Sequence, residues 1–595
     1  MIAGETKRRK VQDSNKMTRI KLEEFKRFSQ SIMWRLMMDF YSSSGKDAWS
    51  KEIVPSFITS NCHIAKSYAR LLAGYIHDLV QLGNIDSKHK LYIVELGGGS
   101  GRLAFLILKE LEKIKDRIDF PFHQIVYILT DFAEANIQFW EQHQGLSQFV
   151  KDGRLDFAKY EAVNDNSLKL RVAGTILRKN QVKNPICIVA NYLIDTLCHD
   201  VFQVRDGVLM EGLVSVGYNR ENDSENETQM NALPMQDGIS KLSSQTSTME
   251  IIENLDNEYK YQPIDVNYYG SENEYVDTDA MTSILTWYRQ YFQVVDEETR
   301  QKLDASFLIP IGFLKALQNL TALSAGEAFV LTGDKGIIHP DRFQGLQEPH
   351  LAKHGSFSVM VNFHAIVLYC IHKGGCAFLN AQEDASIHVN GFVFTNRTID
   401  PSFKGVNYET LNRHRQHRFT NLDRAFQDFI NAFSPNDFYM LQKSLKNESN
   451  PSLPSILSLI KLSNYEPLVF YKFRDIILSE APGTLPMLRL DVLNCVKLLW
   501  DNYYHLDSSG GADVAFELGR LCFGLQVYQE AIKYYSLSLT LFEKHHITYY
   551  NIGLCHVEIR DYDLAISFFK TCLDMNPEYV KAQQWINRVT QRAVK

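Results

Sequence analysis

One stretch constrains this chain more than any other: an apolar run that enters a glycine-rich turn and leaves it as a helix. Tyr92-Ile93-Val94-Glu95-Leu96-Gly97-Gly98-Gly99-Ser100-Gly101 is followed by Leu103, Leu106, Ile107, Leu111 and Ile114 at helical spacing. Glycines at 97, 99 and 101 let the turn tighten and leave bare backbone against which a bulky ligand can lie. Glu95, at the strand end, is placed to meet a ligand's charged part. A dinucleotide fingerprint, G-x-G-x-x-G, fails on spacing, because counting from Gly97 and Gly99 puts Arg102 where its third glycine belongs.

Short apolar runs at 91–94, 125–129, 155–160, 186–190 and 201–204 alternate with helical stretches, which predicts a parallel, doubly wound sheet. Runs at 328–331 and 376–379 read as further strands around a helix over 363–372, so an α/β domain is expected over 91–400. Residues 18–90 are expected to form an N-terminal helical cover, since Ile64, Tyr68, Leu71, Leu72, Tyr75, Ile76 and Leu79 make one apolar stripe. The stretch 219–249 holds Glu221, Asp223, Glu225 and Glu227 among many Asn and Ser, and is expected to be a disordered acidic insertion. Residues 1–17, with Lys7-Arg8-Arg9-Lys10, read as a disordered basic tail.

From 407 the pattern is helical, with a helical domain expected over 407–510. Over 511–595 the sequence repeats itself: Gly519, Ala531 and Tyr535 recur as Gly553, Ala565 and Phe569, and Tyr528 recurs as Tyr562, each 34 residues on (553 minus 519). The period and the small and aromatic positions resemble tetratricopeptide repeats, which implies a module that holds a protein substrate or an assembly partner. Two repeats cannot bury their open faces alone, so the helices of 430–510 are expected to complete the stack.

Two further carboxylates follow strands. Asp131 ends the second, where a carboxylate can accept from both hydroxyls of a ribose. Glu161 follows the third. The E-x-G-x-G-x-G turn resembles the first motif of class I S-adenosylmethionine-dependent methyltransferases. That resemblance implies a doubly wound class I methyltransferase-type α/β fold with S-adenosyl-L-methionine as cofactor. It would be held by Glu95, Gly97, Gly99 and Gly101, with Asp131 at the ribose and Glu161 facing the adenine amino group.

The segment Ala190-Asn191-Tyr192-Leu193-Ile194-Asp195-Thr196-Leu197 is similar to the A-N-E-x-x-D-A-L-P stretch of the MidA family, and 354–363 also resembles a segment of that family. The likeness covers roughly residues 30 to 400 and implies that Asn191, Tyr192 and Asp195 line the acceptor side as catalytic residues. Tyr192 stands where the family has glutamate, Cys198 where it has proline and Met360 where it has histidine, so a carboxylate able to hold a guanidinium is missing. Two functions fit: a methyltransferase acting on a protein, or a methyltransferase-like scaffold of little or no transfer activity that works through its repeats.

Composition narrows the partners. A net charge of -7 with a single basic run gives no phosphate-tracking surface, so no nucleic acid is expected. No run of 18 apolar residues is present, so no membrane span is expected, and the first 25 residues hold no secretory apolar region. The nine cysteines never form C-x-x-C and read as reduced thiols of a cytoplasmic protein, with no metal site.

Overall fold

The strand that opens the glycine motif lies inside a seven-stranded sheet. In chain order its strands are β2 (Leu91–Leu96), β3 (Ile125–Asp131), β4 (Leu155–Lys159), β5 (Ile186–Asn191), β10 (Ala328–Asp334), β11 (Cys376–Phe378) and β12 (His388–Phe394). The spatial order is β11-β12-β10-β5-β2-β3-β4. Pairings are parallel from β10 through β4, while β12 runs antiparallel to both β10 and β11. The computed structural model describes residues 18–45, 57–220, 246–271, 277–293, 303–382, 385–396, 407–506 and 511–593.

Every residue of β2 and β3 is buried, as parallel strands covered on both faces must be. One face carries helix α2 (Cys62–Gln81) and helix α3 (Arg102–Lys113), whose apolar residues form one core with Ile93, Tyr127 and Leu129. Asn61 caps α2 by accepting from the Ile64 amide at 3.0 Å, and all seven residues of its apolar stripe are buried. The other face packs Tyr92, Val94, Val126 and Ile128 against the helices Ile311–Thr321 and Phe363–His372.

A second sheet departs from the expected layout. The run 201–204 lies in β6 (Asp200–Arg205), which belongs to a five-stranded antiparallel sheet with β1 (Thr18–Arg27), β7 (Val208–Arg220), β8 (Leu255–Pro263) and β9 (Ala305–Ile309). Asp206 and Gly207, with φ of 52° and 78°, make a two-residue turn between β6 and β7. Such a turn folds the chain back on itself and forbids a parallel continuation. The expected helical cover over 18–90 is likewise wrong at its start, because β1 pairs with β7 from Thr18↔Arg220 to Arg27↔Leu213. Ile20 and Leu22 alternate there with charged neighbours, the period of a strand. Helix α1 (Ile32–Ser44) packs on this sheet.

The expected insertion 219–249 is ordered at both ends, since Asn219 and Arg220 finish β7 and Thr248 opens the helix Thr248–Glu253. Residues 221–245, like the basic tail 1–17, lie outside the described residues. The boundary at 407 also moves. Phe419, Leu422, Phe426 and Ile430 join the core under α2, and Asp78 of α2 accepts from the amides of Asn421 and Leu422. A separate helical core begins at Phe438 and runs into the first repeat. The repeats are the helix pairs Val514–Gly524 with Tyr528–Leu541 and His546–Glu558 with Tyr562–Met575. A Cβ on Gly519 would sit 2.7 Å from the Tyr535 ring and one on Gly553 would sit 2.6 Å from the Phe569 ring, which is why glycine and aromatic recur together.

Candidate functional site

The chain passes outward from β2 to β3 and β4, then crosses to β5 and β10 on the other side, so β2 and β5 flank the point where strand order reverses. α3 follows β2, whereas the chain leaving β5 makes one short turn and enters β6, and a cleft opens between the two connections at the strands' C-terminal ends. The glycine turn forms its floor. Gly97, Gly99 and Gly101 have φ of +62°, +53° and +77°, values that a side chain with Cβ rarely adopts.

The four glycines serve different ends. A Cβ on Gly98 would lie 2.2 Å from Leu129, and one on Gly101 would lie 2.9 Å from the Trp140 ring and 3.0 Å from the Tyr504 hydroxyl. Packing therefore dictates those two. Gly97 is exposed beneath Leu193. The turn is held by the Gly98 amide on Thr130 O at 2.8 Å, the Gly99 amide on Asp131 Oδ2 at 3.1 Å, and Trp140 Nε1 on Gly99 O at 3.0 Å.

Of the expected residues, Glu95, Gly97, Gly99, Asp131, Asn191 and Tyr192 share one cleft. Its enclosed part is about 90 Å³, less than the ~150 Å³ that takes up a benzene ring. Glu95 is 3% exposed and accepts from Tyr127 Oη at 2.7 Å. Burial, reinforced by the negative charge of Asp131, pushes its carboxyl up to about 8. Asp131 accepts from Ala133 N at 2.9 Å, Asn136 Nδ2 at 3.0 Å and Gly99 N, while burial holds its carboxyl above the ordinary range. The Phe132 amide also stabilises the carboxylate, so most of its acceptor capacity is spent inside the protein.

Asn191 ties the end of β5 to α2 and to the loop before it: its Oδ1 accepts from Tyr68 Oη and its Nδ2 donates to Thr59 O, each at 2.8 Å. Tyr192 follows at φ +54°, an αL conformation in a bulky residue, with its amide on Gly333 O at 2.7 Å. A non-glycine residue held there stores strain of about 1–3 kcal/mol and needs surroundings that enforce it.

Gly101, Glu161 and Asp195 do not reach the cleft wall. Gly101 lies behind the turn, as its packing requires. The Glu161 carboxylate folds back on its own turn and accepts from the amides of Val163 at 3.1 Å and Asn164 at 3.0 Å. Asp195 is buried under the loop that follows β5, and its Oδ1 has no hydrogen-bond partner among the described residues.

Sequence reasoning missed Asp334, at the end of β10. Its Oδ2 gathers the amides of Leu193, Ile194 and Asp195 at 3.2, 2.8 and 3.3 Å, and its Oδ1 accepts from Lys335 N at 2.8 Å. Burial pushes its carboxyl up to about 7, and burial together with the charge of Asp334 raises Asp195 well above the ordinary carboxylate range. Asp195 is the member that keeps a proton, since four amides stabilise the charge on Asp334. The strand-end sequence Thr332-Gly333-Asp334 marked a turn but carried no sign of the loop beneath which it folds. Tyr41, from α1, and Asn136 also line the cleft, and no local pattern pointed to them.

Residues 71–289 match the family model described as "Putative S-adenosyl-L-methionine-dependent methyltransferase", and residues 547–579 match the tetratricopeptide repeat. The first match spans the glycine turn, both flanking carboxylates and the loop after β5, and the second falls on the later of the two helix pairs. No curated protein matches the chain. Among solved structures, an uncharacterized protein from Burkholderia thailandensis is 11% identical, covering 63% of this chain and 88% of its own, with a TM-score of 0.33. A second from the same organism, described as a "likely methyl transferase" and bound to S-adenosyl-homocysteine, is 13% identical, covering 64% and 91%, with a TM-score of 0.34.

Proposed function

We propose that this chain is an S-adenosylmethionine-dependent methyltransferase acting on a protein, and that its helical repeats hold that protein or an assembly partner. The observation that carries the reading is the single cleft at the strand-order reversal, in which Glu95, bare backbone at Gly97 and Gly99, and Asp131 face Asn191 and Tyr192. The family match over 71–289 supports it.

The residues present fit such a cofactor. Gly97 and Gly99 put backbone without Cβ on the cleft floor, where a nucleoside would lie, and the Asp131 carboxylate lines the same cleft, where it would meet the ribose. The cofactor, when bound, supplies an electrophilic methyl group on a sulfonium. Ionised Glu95 would face its positive charge, so binding is expected to release the Glu95 proton. Asn191 and Tyr192, rigidly seated on Tyr68, Thr59 and Gly333, orient the incoming nucleophile on the opposite wall. In an in-line displacement such alignment does most of the work. Asp334 holds the loop that carries this wall, and Asp195 is buried in the same loop. Nine unpaired cysteines, eight of them buried, fit a reducing compartment such as the cytoplasm. Among the described residues no helix is long and apolar enough to cross a membrane.

A scaffold with little transfer activity is favoured by two observations: the small enclosed volume and the aromatic Tyr192 in the acceptor loop. Calorimetric titration of S-adenosyl-homocysteine into the full chain, followed by transfer of labelled methyl groups from S-adenosylmethionine to proteins of a cell extract, separates the readings. Binding with labelling is the expected result, binding without labelling selects the scaffold, and no binding overturns the cofactor assignment.

A further inference from the structure

The cofactor turn is gripped from outside its own domain. Tyr504, at the end of the helix Pro486–Asp501 and its following turn, donates its hydroxyl to Ser100 O at 2.8 Å. Its ring stacks on His143 with centroids 4.0 Å apart and planes 15° from parallel, and His143 Nε2 in turn lies 2.8 Å from His505 O. Tyr504 is 5% exposed, so this contact is made in the interior. The Tyr504 hydroxyl also occupies the space a Cβ on Gly101 would need.

A second hold comes from Glu466, which caps the helix Pro467–Lys472 of the same helical region and is fully buried. Its carboxylate accepts from Leu468 N at 3.0 Å and Cys62 N at 2.9 Å, and pairs with the guanidinium of Arg102. Arg102 opens α3 directly after the turn and also donates to Ser60 O. Ser60 and Ser100 both line the cleft. One buried carboxylate therefore fastens the start of α2, the start of α3 and the loop of one cleft wall together. A buried ion pair of this kind leaves an uncompensated charge if either partner is lost, so both ends are tied to the interface.

We propose that Tyr504 and Glu466 are positioning residues of the cofactor site, so that the helical region is a structural part of that site and not an appendage that only recruits partners. The proposal rests on the cofactor reading above. A hydroxyl on Ser100 O fixes the peptide between Ser100 and Gly101, and with it the direction in which the Gly99 and Ser100 backbone faces the cleft. Trp140 holds the neighbouring carbonyl, Gly99 O, from the other side.

The test uses the full chain with Tyr504→Phe, which keeps the ring and its stack on His143 and removes one oxygen, and with Glu466→Gln as the second variant. S-adenosyl-homocysteine affinity is measured by calorimetry, and amide hydrogen exchange is followed across the chain. The expected result for Tyr504→Phe is affinity weaker by about three- to tenfold, the scale of one hydrogen bond, with faster exchange confined to 97–105. Glu466→Gln is expected to weaken affinity at least as much. Parental affinity and unchanged exchange in both variants would overturn the proposal. Exchange that rises throughout the helical region would also overturn it, since that marks a role in general stability alone. A parent chain that binds no S-adenosyl-homocysteine defeats the cofactor reading instead, and the exchange at 97–105 still decides whether Tyr504 holds the turn.

Discussion

Tyr127 donates its hydroxyl to the Glu95 carboxylate at 2.7 Å, across the neighbouring strands β3 and β2, at a depth where both side chains are buried. Burial raises the Glu95 carboxyl from its ordinary value of 4.5 to about 8. Between those pH values the folded protein keeps a proton that the unfolded chain has lost, so stability declines as pH rises through that window. Glu95→Gln removes the titration. The variant should therefore gain stability relative to the parent from pH 5 to pH 8, by on the order of a few kcal/mol, in urea melts at each pH. A constant difference across the window would show that Glu95 is ionised in the fold.

Asp131 both fastens the turn and faces the cleft. Asp131→Ala is expected to weaken S-adenosyl-homocysteine by about 1.5–3 kcal/mol, through loss of a ligand contact and of the Gly99 anchor. Calorimetry measures it, and unchanged affinity would move the ribose contact elsewhere.

Gly99→Val and Gly101→Ala should fail in different ways. Valine at φ +53° adds a branched side chain where backbone meets the ligand, and cofactor binding should fall below detection while circular dichroism stays that of the parent. Alanine at 101 meets Trp140 and Tyr504, so its main effect should be a lower melting temperature. A Gly99→Val chain that folds and binds like the parent would sink the cofactor assignment.

Asp334→Ala strips the amides of Leu193, Ile194 and Asp195 of their shared acceptor. The loss should cost about 1–3 kcal/mol in urea unfolding and speed amide exchange over 192–196. Undiminished stability would mean that the loop and its strained Tyr192 are held by other contacts.

The parts legible in the sequence are those whose pattern repeats within a few residues or at a fixed period. Burial on two faces makes β2 apolar up to Glu95 and β3 apolar up to Thr130, burial on one face gives α2 its stripe, and the positive φ values at 97, 99 and 101 favour glycine. The 34-residue recurrence of Gly519 and Tyr535 as Gly553 and Phe569 reflects a contact made within each repeat. The Asp206-Gly207 hairpin was also legible, and with it the second sheet could have been read. Tertiary structure alone decided the rest. β1 finds its partner near residue 220, Asp334 arrives beneath a loop some 140 positions earlier, and Tyr504 reaches Ser100 across 404 positions. A contact between segments so distant leaves no periodic trace in either one, because each residue type is chosen by a neighbour that only the folded chain brings near.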